Sequence, residues 1–477
     1  MRRPNIVFVF ADQMRAQATG YAGDPNAHTP ALDRLAEESV NLVNAVSGHP
    51  VCCPYRASLL TGQYSLTHGV YINDVHLDDG AVSIAKVFGA TGYDTAYIGK
   101  WHLNGSPDGA YGGRRAFIPP ESHQGFDYWK AFECNHNYMV SHYFEGDDPE
   151  PKLWDGYDAI AQTEDACRYI RDHADGDRPF FMMLSWGAPH DPYDLVPEEY
   201  RAIFADREIQ LRPNVAEDKR DEAVKTLRGY YAHIAALDDC VGKLVDALEA
   251  GSIADDTIFI FTSDHGDCHY SQGLWTKVVP FEESVRVPFL LRYPRVFGRE
   301  GCRSELLIDA PDIMPTLLGL CDVEIPETVE GRDFSRQLLG EAPVDADPSV
   351  FLSAPVSFAI LRAQGLPAYR GVRTPRYTYV RSTRGPWMLY DNDEDPYQLT
   401  NLIGQPACAD LQRDLEAKLQ GWLERLNDEF LPGHVYLERD GLTHYSEVTG
   451  EWGRLQTPWT VPEDPGGDVE LGSKQMV

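Results

Sequence analysis

Four apolar runs, each ending in ionisable residues, constrain this chain more than any other feature. Asn5–Phe10 (NIVFVF) leads into Ala11-Asp12-Gln13, and Asp94–Ile98 into Gly99-Lys100-Trp101-His102. Phe180–Trp186 (FFMMLSW) leads into Gly187-Ala188-Pro189-His190, and Thr257–Thr262 (TIFIFT) into Ser263-Asp264-His265-Gly266-Asp267. Runs without polar alternation suit strands covered on both faces, as in a parallel sheet. Helical patterns separate them. Thr29–Val40 places Thr29 as an N-cap ahead of Pro30, a favourable pairing at a helix start. Ser83–Gly89 and Asp165–His173 are shorter helical stretches. In Asp221–Ala250, Leu227, Ile234, Val241 and Leu248 recur every seven residues with Leu237 and Leu244 between them, as in one long helix lying on a sheet. Val287–Tyr293 reads as one more strand. Alternation of this kind predicts an α/β fold, a mostly parallel central sheet sandwiched by helices. Ligands of such sheets bind beyond the C-terminal strand ends, so Asp12, Lys100, His102, His190, Asp264 and His265 are expected to converge on one edge. Residues 104–150, rich in Gly, Pro, Asp and aromatic side chains, read as long loops shaping a pocket.

The pattern changes near residue 365. A catalytic α/β domain is expected over 1–365, and a smaller C-terminal α+β subdomain with an antiparallel sheet, plus a tail, over 366–477. Arg370–Arg381 alternates as a strand does, Trp387–Tyr390 is a second short strand, and Ala409–Glu429 is an amphipathic helix. The tail after Pro432 is polar and irregular, free to cross the surface or to meet a second copy in a homo-oligomer.

Charge and cysteine usage exclude several function classes. The net charge of −32 repels nucleic acid and anionic membranes. It also opposes an anionic substrate, so a sulfate or phosphate site has to be locally basic. No apolar run approaches the ~20 residues of a membrane span. The run after Met1-Arg2-Arg3-Pro4 is too short for a signal sequence, so the chain as given is expected in the cytoplasm. Nine cysteines without regular spacing argue against a disulfide framework. Cys134, Cys167, Cys240, Cys268, Cys302, Cys321 and Cys408 are expected to be buried or incidental thiols rather than ligands.

Val51–Gln63 (VCCPYRASLLTGQ) carries the most specific chemistry. A helix is expected to start just after Pro54, placing the cysteines at its N-terminus beside Arg56, where negative charge is stabilised. Cys52-Cys53-Pro54-Tyr55-Arg56, continuing to Leu60-Thr61-Gly62, resembles the C-x-P-S/A-R…L-T-G signature of type I sulfatases, with Tyr55 where Ser or Ala is usual. Further segments resemble that family in the same order: Asp12-Gln13, GKWHL with Lys100 and His102, His190 in GAPHDPY, Asp264-His265, Lys277 ahead of EESVRVP, and Leu389–Leu402. Asp-Gln combined with Asp-His also resembles phosphonate monoester hydrolases of the same alkaline phosphatase-like superfamily.

The resemblance implies a sulfuric ester hydrolase, arylsulfatase-like or acting on carbohydrate, with phosphonate monoester or phosphodiester hydrolysis as the alternative on the same site. It implies that Cys52 is converted to formylglycine by a formylglycine-generating enzyme. It also implies one divalent cation, Ca²⁺ with Mn²⁺ as the rival, held by Asp12, Gln13, Asp264, His265 and residue 52. In the family pattern Arg56 holds the formylglycine and Lys100 a sulfate oxygen. His102 takes a proton from the hydrate, and His190 and Lys277 face the departing oxygen. Arg286 and Glu282 are expected to be structural. The substrate is expected to be a small-molecule or saccharide sulfate ester.

Overall fold

A computed structural model describes residues 3–106, 114–445 and 448. Its strands are β1 Asn5–Asp12, β2 Val40–Val46, β3 Asp94–Lys100, β4 Tyr128–Phe132, β5 His142–Glu145, β6 Asp148–Leu153, β7 Phe180–Pro189, β8 Thr257–Ser263, β9 Phe289–Arg292 and β10 Cys302–Asp309. These form one ten-stranded sheet in the order β10-β2-β9-β8-β1-β7-β3-β4-β5-β6. The centre is parallel: β1 pairs with β7 and β8, and β3 with β7 and β4. β9 runs antiparallel between β2 and β8, and β5 and β6 form an antiparallel edge. Alternate residues of β1 feed opposite layers. Ile6, Phe8 and Phe10 pack with Cys53, Tyr55 and Leu59, while Val7, Val9 and Ala11 pack with the long helix.

That helix spans Arg220–Ala250, and the six apolar residues of its expected stripe are all buried. Each contributes roughly 1.5–3 kcal/mol relative to exposure. The helix also caps its neighbour. Asp238 accepts from Ala31 N at 2.9 Å and Leu32 N at 2.7 Å at the start of the Pro30–Glu37 helix. Thr29, the expected cap, bonds elsewhere: its hydroxyl accepts from Gly20 N and donates to Asp33.

A second sheet is antiparallel, β11 Val350–Ala354, β12 Tyr369–Arg373, β13 Tyr377–Ser382 and β14 Gly385–Asp391, with the Ala409–Arg425 helix packed on it. β11 precedes residue 366, so the small sheet takes its first strand from the segment assigned by sequence to the larger domain. The two sheets are tied by buried polar contacts: Arg373 donates to Glu282 at 2.7 and 3.1 Å, and Ser353 N to Gly48 O at 2.7 Å. Glu282 also lies 3.7 Å from Arg286. No helix among the described residues is long and apolar enough to cross a membrane.

Other expectations are corrected. The 104–150 region is not all loop, because it carries β4, β5 and β6; residues 107–113 of it lie outside the described residues. β5 and β6 are short and paired at a sheet edge, where partly exposed positions erase the apolar signal, and β4 is buried but only five residues long. The polar tail forms a helix, Gly433–Asp440, whose Tyr436 and Leu437 are buried; beyond residue 445 only residue 448 is described. The Asp165–His173 helix starts earlier, at Asp158. β2 and β10, at the far edge, have no counterpart in the sequence reading.

Candidate active site and metal centre

The helix that carries the cysteines spans Cys52–Thr61, so it begins two residues before Pro54 rather than after it. First-turn amides have no intrahelical acceptor, so proline there removes no hydrogen bond. Val51 gives no side-chain cap. Cys53 N instead finds Asn73 Oδ1 at 3.1 Å. Gly62 ends the helix at φ 68, a left-handed conformation glycine adopts without strain. All ten residues of the helix are buried, and Arg56 lies one turn beyond Cys52 on the same face.

Asp12, Cys52, Asp264 and His265 present ligand atoms that all lie within 4.8 Å of one another. Cys52 Sγ is 3.2 Å from His265 Nε2 and 3.7 Å from Asp12 Oδ1. Two cations balance the carboxylates. Lys100 Nζ donates to Asp12 Oδ2 at 2.6 Å, and Arg56 Nη2 reaches Asp12 Oδ2 at 3.1 Å and Asp264 Oδ2 at 3.2 Å. Arg56 Nη1 is held by Lys100 O and Ser185 Oγ. Lys100 stands at the end of β3 because Gly99 precedes it at φ 104; a Cβ there would meet Ser185 O at 2.1 Å.

A second group adjoins the first. Lys277 Nζ donates to Gln13 Oε1 and to His190 Nε2, each at 2.6 Å. His190 Nδ1 lies 2.9 Å from Asp191 O, which fixes the proton on that nitrogen and leaves Nε2 as acceptor. Gln13 Nε2 donates to Asp267 Oδ2 at 2.6 Å, and the Tyr193 hydroxyl bonds the same oxygen at 2.5 Å. His102 sits apart from these. Its Nε2 faces Asp74 Oδ1 at 3.1 Å.

The fields at these groups follow from burial and charge. Burial works against ionising Asp12, but Lys100, His190, Arg56 and His265 hold its carboxyl well below the usual range. Burial, and then the charge of Asp12, push Asp264 upward. For Cys52, burial and Asp12 oppose the thiolate, yet Lys100, Lys277 and His265 bring its pKa well below that of an ordinary thiol. Its neighbour Cys53 is pushed up to about 11, chiefly by burial. Burial and then Lys277 keep His190 well below its normal value. Lys277 is raised despite burial, through Cys52, Asp12 and Asp191.

The donor set fits a divalent cation. Two buried carboxylates converge with an imidazole whose Nδ1 lies 3.0 Å from Gly266 O, which leaves Nε2 facing them. Burial opposes protonation of His265, but Asp264 foremost raises its pKa, and a bound cation would take the place of that proton.

Several groups here escape a reading of the sequence. Asp267 and Tyr193 stand close to the predicted residues, in SDHGD and HDPY. Asp74, Arg114 and His136 come from stretches without a motif. Cys134, expected to be incidental, lies 3.5 Å from His136 Nε2 and 3.8 Å from Arg114 Nη1. Burial opposes its thiolate, but His102, Lys100, His136 and Arg114 bring the pKa well below the usual thiol value. His136 stacks on His190 with ring centroids 4.5 Å apart.

Comparison with known proteins agrees with this geometry. The sulfatase family profile matches residues 4–323, and a profile described as N-sulphoglucosamine sulphohydrolase, C-terminal, matches 271–425. An ulvan-active sulfatase of Formosa agariphila is 43% identical, over 97% of this chain and 90% of its own. An endo-4-O-sulfatase of Bacteroides thetaiotaomicron is 33% identical, over 84% of this chain and 88% of its own. A solved Bacteroides thetaiotaomicron structure, from work on the metabolism of multiple glycosaminoglycans, superposes with TM-score 0.81 at 29% identity, covering 93% of this chain and 100% of that one. The phosphonate monoester hydrolase of Agrobacterium radiobacter, at 23% identity and TM-score 0.70 over 90% of this chain and 96% of that one, shares the fold. With the profile covering most of its length and two sulfatases above 30% identity across it, this chain belongs to the sulfatase family, the hydrolases of sulfuric esters.

Proposed function

We propose that the chain removes sulfate from a sulfated saccharide, using formylglycine made from Cys52 and one divalent cation, Ca²⁺. The observation that carries this reading is the placement of Cys52. It stands at the N-terminus of a buried helix, within 4.8 Å of the ligand atoms of Asp12, Asp264 and His265, with Lys100 and Arg56 balancing the carboxylates. The saccharide class is supported by the two relatives, whose names give an ulvan-active and an endo-4-O-sulfatase.

Asp12, Asp264 and His265 would hold the cation, and Gln13 offers the amide oxygen that Lys277 now engages. When bound, such a cation lowers the pKa of a hydroxyl beside it and draws charge from a sulfate oxygen. Formylglycine supplies a hydrated aldehyde, which can release sulfate by returning to the carbonyl rather than by attack of water on sulfur. The chain's own residues do the rest. Arg56 holds the side of residue 52 and keeps Asp12 ionised. Lys100 neutralises a sulfate oxygen. Charged Lys277, positioned by its hydrogen bond to the Nε2 of neutral His190, is the group that gives a proton to the departing saccharide oxygen.

A panel of sulfated oligosaccharides, aryl sulfates and aryl phosphonate esters, offered to protein made together with the modifying enzyme, tests the reading. Sulfate release from a saccharide is expected. Cys52→Ala should lower it by roughly 10⁴-fold or more, while Cys53→Ala retains much of it. Peptide mass should show a single cysteine converted. Preferred turnover of the phosphonate ester, with Mn²⁺ in place of Ca²⁺, would overturn it in favour of the alternative.

A further inference from the structure

Asp74 and Arg114 play no part in the chemistry above, yet they enclose one of its residues. Arg114 grips both oxygens of the Asp74 carboxylate, with Nε at 2.7 Å from Oδ1 and Nη2 at 2.8 Å from Oδ2. The same Oδ1 is 3.1 Å from His102 Nε2. Asp74 is buried at φ 66, and its N–H donates to Cys53 Sγ at 3.3 Å, so the turn is anchored beside residue 52. Burial opposes ionisation of Asp74, but Arg114 and His102 hold its carboxyl well below the usual range. His102 is itself buried at φ 58, and its Nδ1 has no hydrogen-bond partner among the described residues.

A carboxylate can only accept, so the nitrogen facing Asp74 must carry a hydrogen. The two-pronged contact from Arg114 fixes the plane of the carboxylate and with it the plane of the ring. We propose that Asp74, clamped by Arg114, is a positioning residue: it fixes the hydrogen of His102 on Nε2 and leaves Nδ1 as the nitrogen that takes up and returns the proton in the sulfatase reaction. This deepens the sulfatase reading of Cys52 and rests on it. Arg114 and Asp74 are a charged pair whose function would be to choose which ring nitrogen reacts, as a carboxylate does for the histidine of a hydrolytic triad.

Asp74→Asn tests it directly. Asparagine tolerates positive φ as well as aspartate does, so the backbone is kept. Its amide points N–H groups either at Arg114 Nη2, which breaks the two-pronged clamp, or at His102 Nε2 and Arg114 Nε; in both the ring loses a charged acceptor held in plane. The first readout needs no turnover. Protein made without the modifying enzyme, so that Cys52 stays a thiol, is labelled with ¹⁵N-histidine, and the His102 resonances are assigned by their loss in His102→Gln. Although burial opposes its protonation, Cys134, Cys53 and Asp74 raise the His102 pKa well above the usual value, so the spectra are taken at a pH high enough to deprotonate the ring; the neutral ring is expected to carry its hydrogen on Nε2 in the parent and to show a weakened preference in Asp74→Asn. The second readout uses converted enzyme: kcat should fall about 10²- to 10⁴-fold with KM changed less than about threefold, and Arg114→Gln should fall between parent and Asp74→Asn. A parent ring with its hydrogen on Nδ1, an unchanged tautomer in Asp74→Asn, or a loss confined to KM would overturn the proposal. A parent that hydrolyses no sulfate ester overturns the sulfatase reading instead, and leaves the tautomer measurement standing.

Discussion

Arg56 reaches Asp12 at 3.1 Å and Asp264 at 3.2 Å with its side chain almost wholly buried, and it lies over the Phe10 ring at 4.9 Å. Removing one partner from such a network leaves uncompensated charge in a low-dielectric interior, at a cost of about 3–5 kcal/mol. Arg56→Met, which keeps most of the volume, is therefore expected to lose about that much stability in urea titrations of metal-free protein. Added Ca²⁺ should recover part of the loss, because a bound cation restores positive charge to the same two carboxylates. A loss below about 1 kcal/mol would show that Lys100 alone balances the pair. The contrast with Asp74 shows where residue-level reading of a sequence stops. Arg56 is spaced one helical turn from Cys52, a relation visible in the chain itself. His102 is marked by GKWHL, but Asp74 and Arg114 meet it only because separate connections fold over one another, and nothing in their local sequence marks those two.

At the scale of elements, the helix Ala310–Leu320 has a cap with a pH-dependent cost. Asp309 Oδ1 accepts from Gly48 N at 2.8 Å and Ala310 N at 2.7 Å, and Asp309 N donates to Asp312 Oδ2 at 3.0 Å. Burial, and then the charge of Asp312, push Asp309 up to about 7. The unfolded value is about 3.9, so the folded protein binds the extra proton between these limits. The stability contributed by Asp309 is thus fully present below about pH 3.9 and lost as pH rises through 7. Asp309→Asn keeps the acceptor and is an equally good N-cap. Relative to the parent, its unfolding free energy should rise by about 2–4 kcal/mol between pH 4.5 and pH 8; a constant difference would show that Asp309 stays ionised throughout. Elements such as β1, β7, β8 and the long helix were legible because unbroken apolar runs and a seven-residue stripe leave little choice of period. β5 and β10 were not, since His, Glu or Arg at partly exposed positions dilutes the pattern, and in the mostly buried β2 and β4 Asn or Lys interrupts a short apolar run. β9 was found as a strand, but its antiparallel direction depends on the connection and not on its own residues.

For the whole molecule, a net charge of −32 sets the long-range field, while the cations Arg56, Lys100 and Lys277 are buried at short range. A substrate bearing several sulfates is repelled until it reaches the site, and that repulsion is screened as the Debye length shrinks from about 30 Å at 0.01 M to about 10 Å at 0.1 M salt. kcat/KM for a multiply sulfated oligosaccharide is expected to rise several-fold over this range, and that for a singly sulfated aryl ester much less. A fall with salt would mean that local basic charge dominates the approach. The burial of the Cys52–Thr61 helix has a consequence in time rather than in space. With every residue of that segment enclosed, an enzyme that rewrites Cys52 has no access to it in the finished fold. If Cys52 is converted as proposed, that enzyme has to meet the segment while it is still unfolded, and during synthesis this means before the strands that close over it have been made. β8 begins at Thr257, roughly 200 residues downstream, which at about 5–20 residues per second leaves a window on the order of 10–40 seconds. Codon choice or pausing between these points would then set the fraction of active protein without altering a single contact.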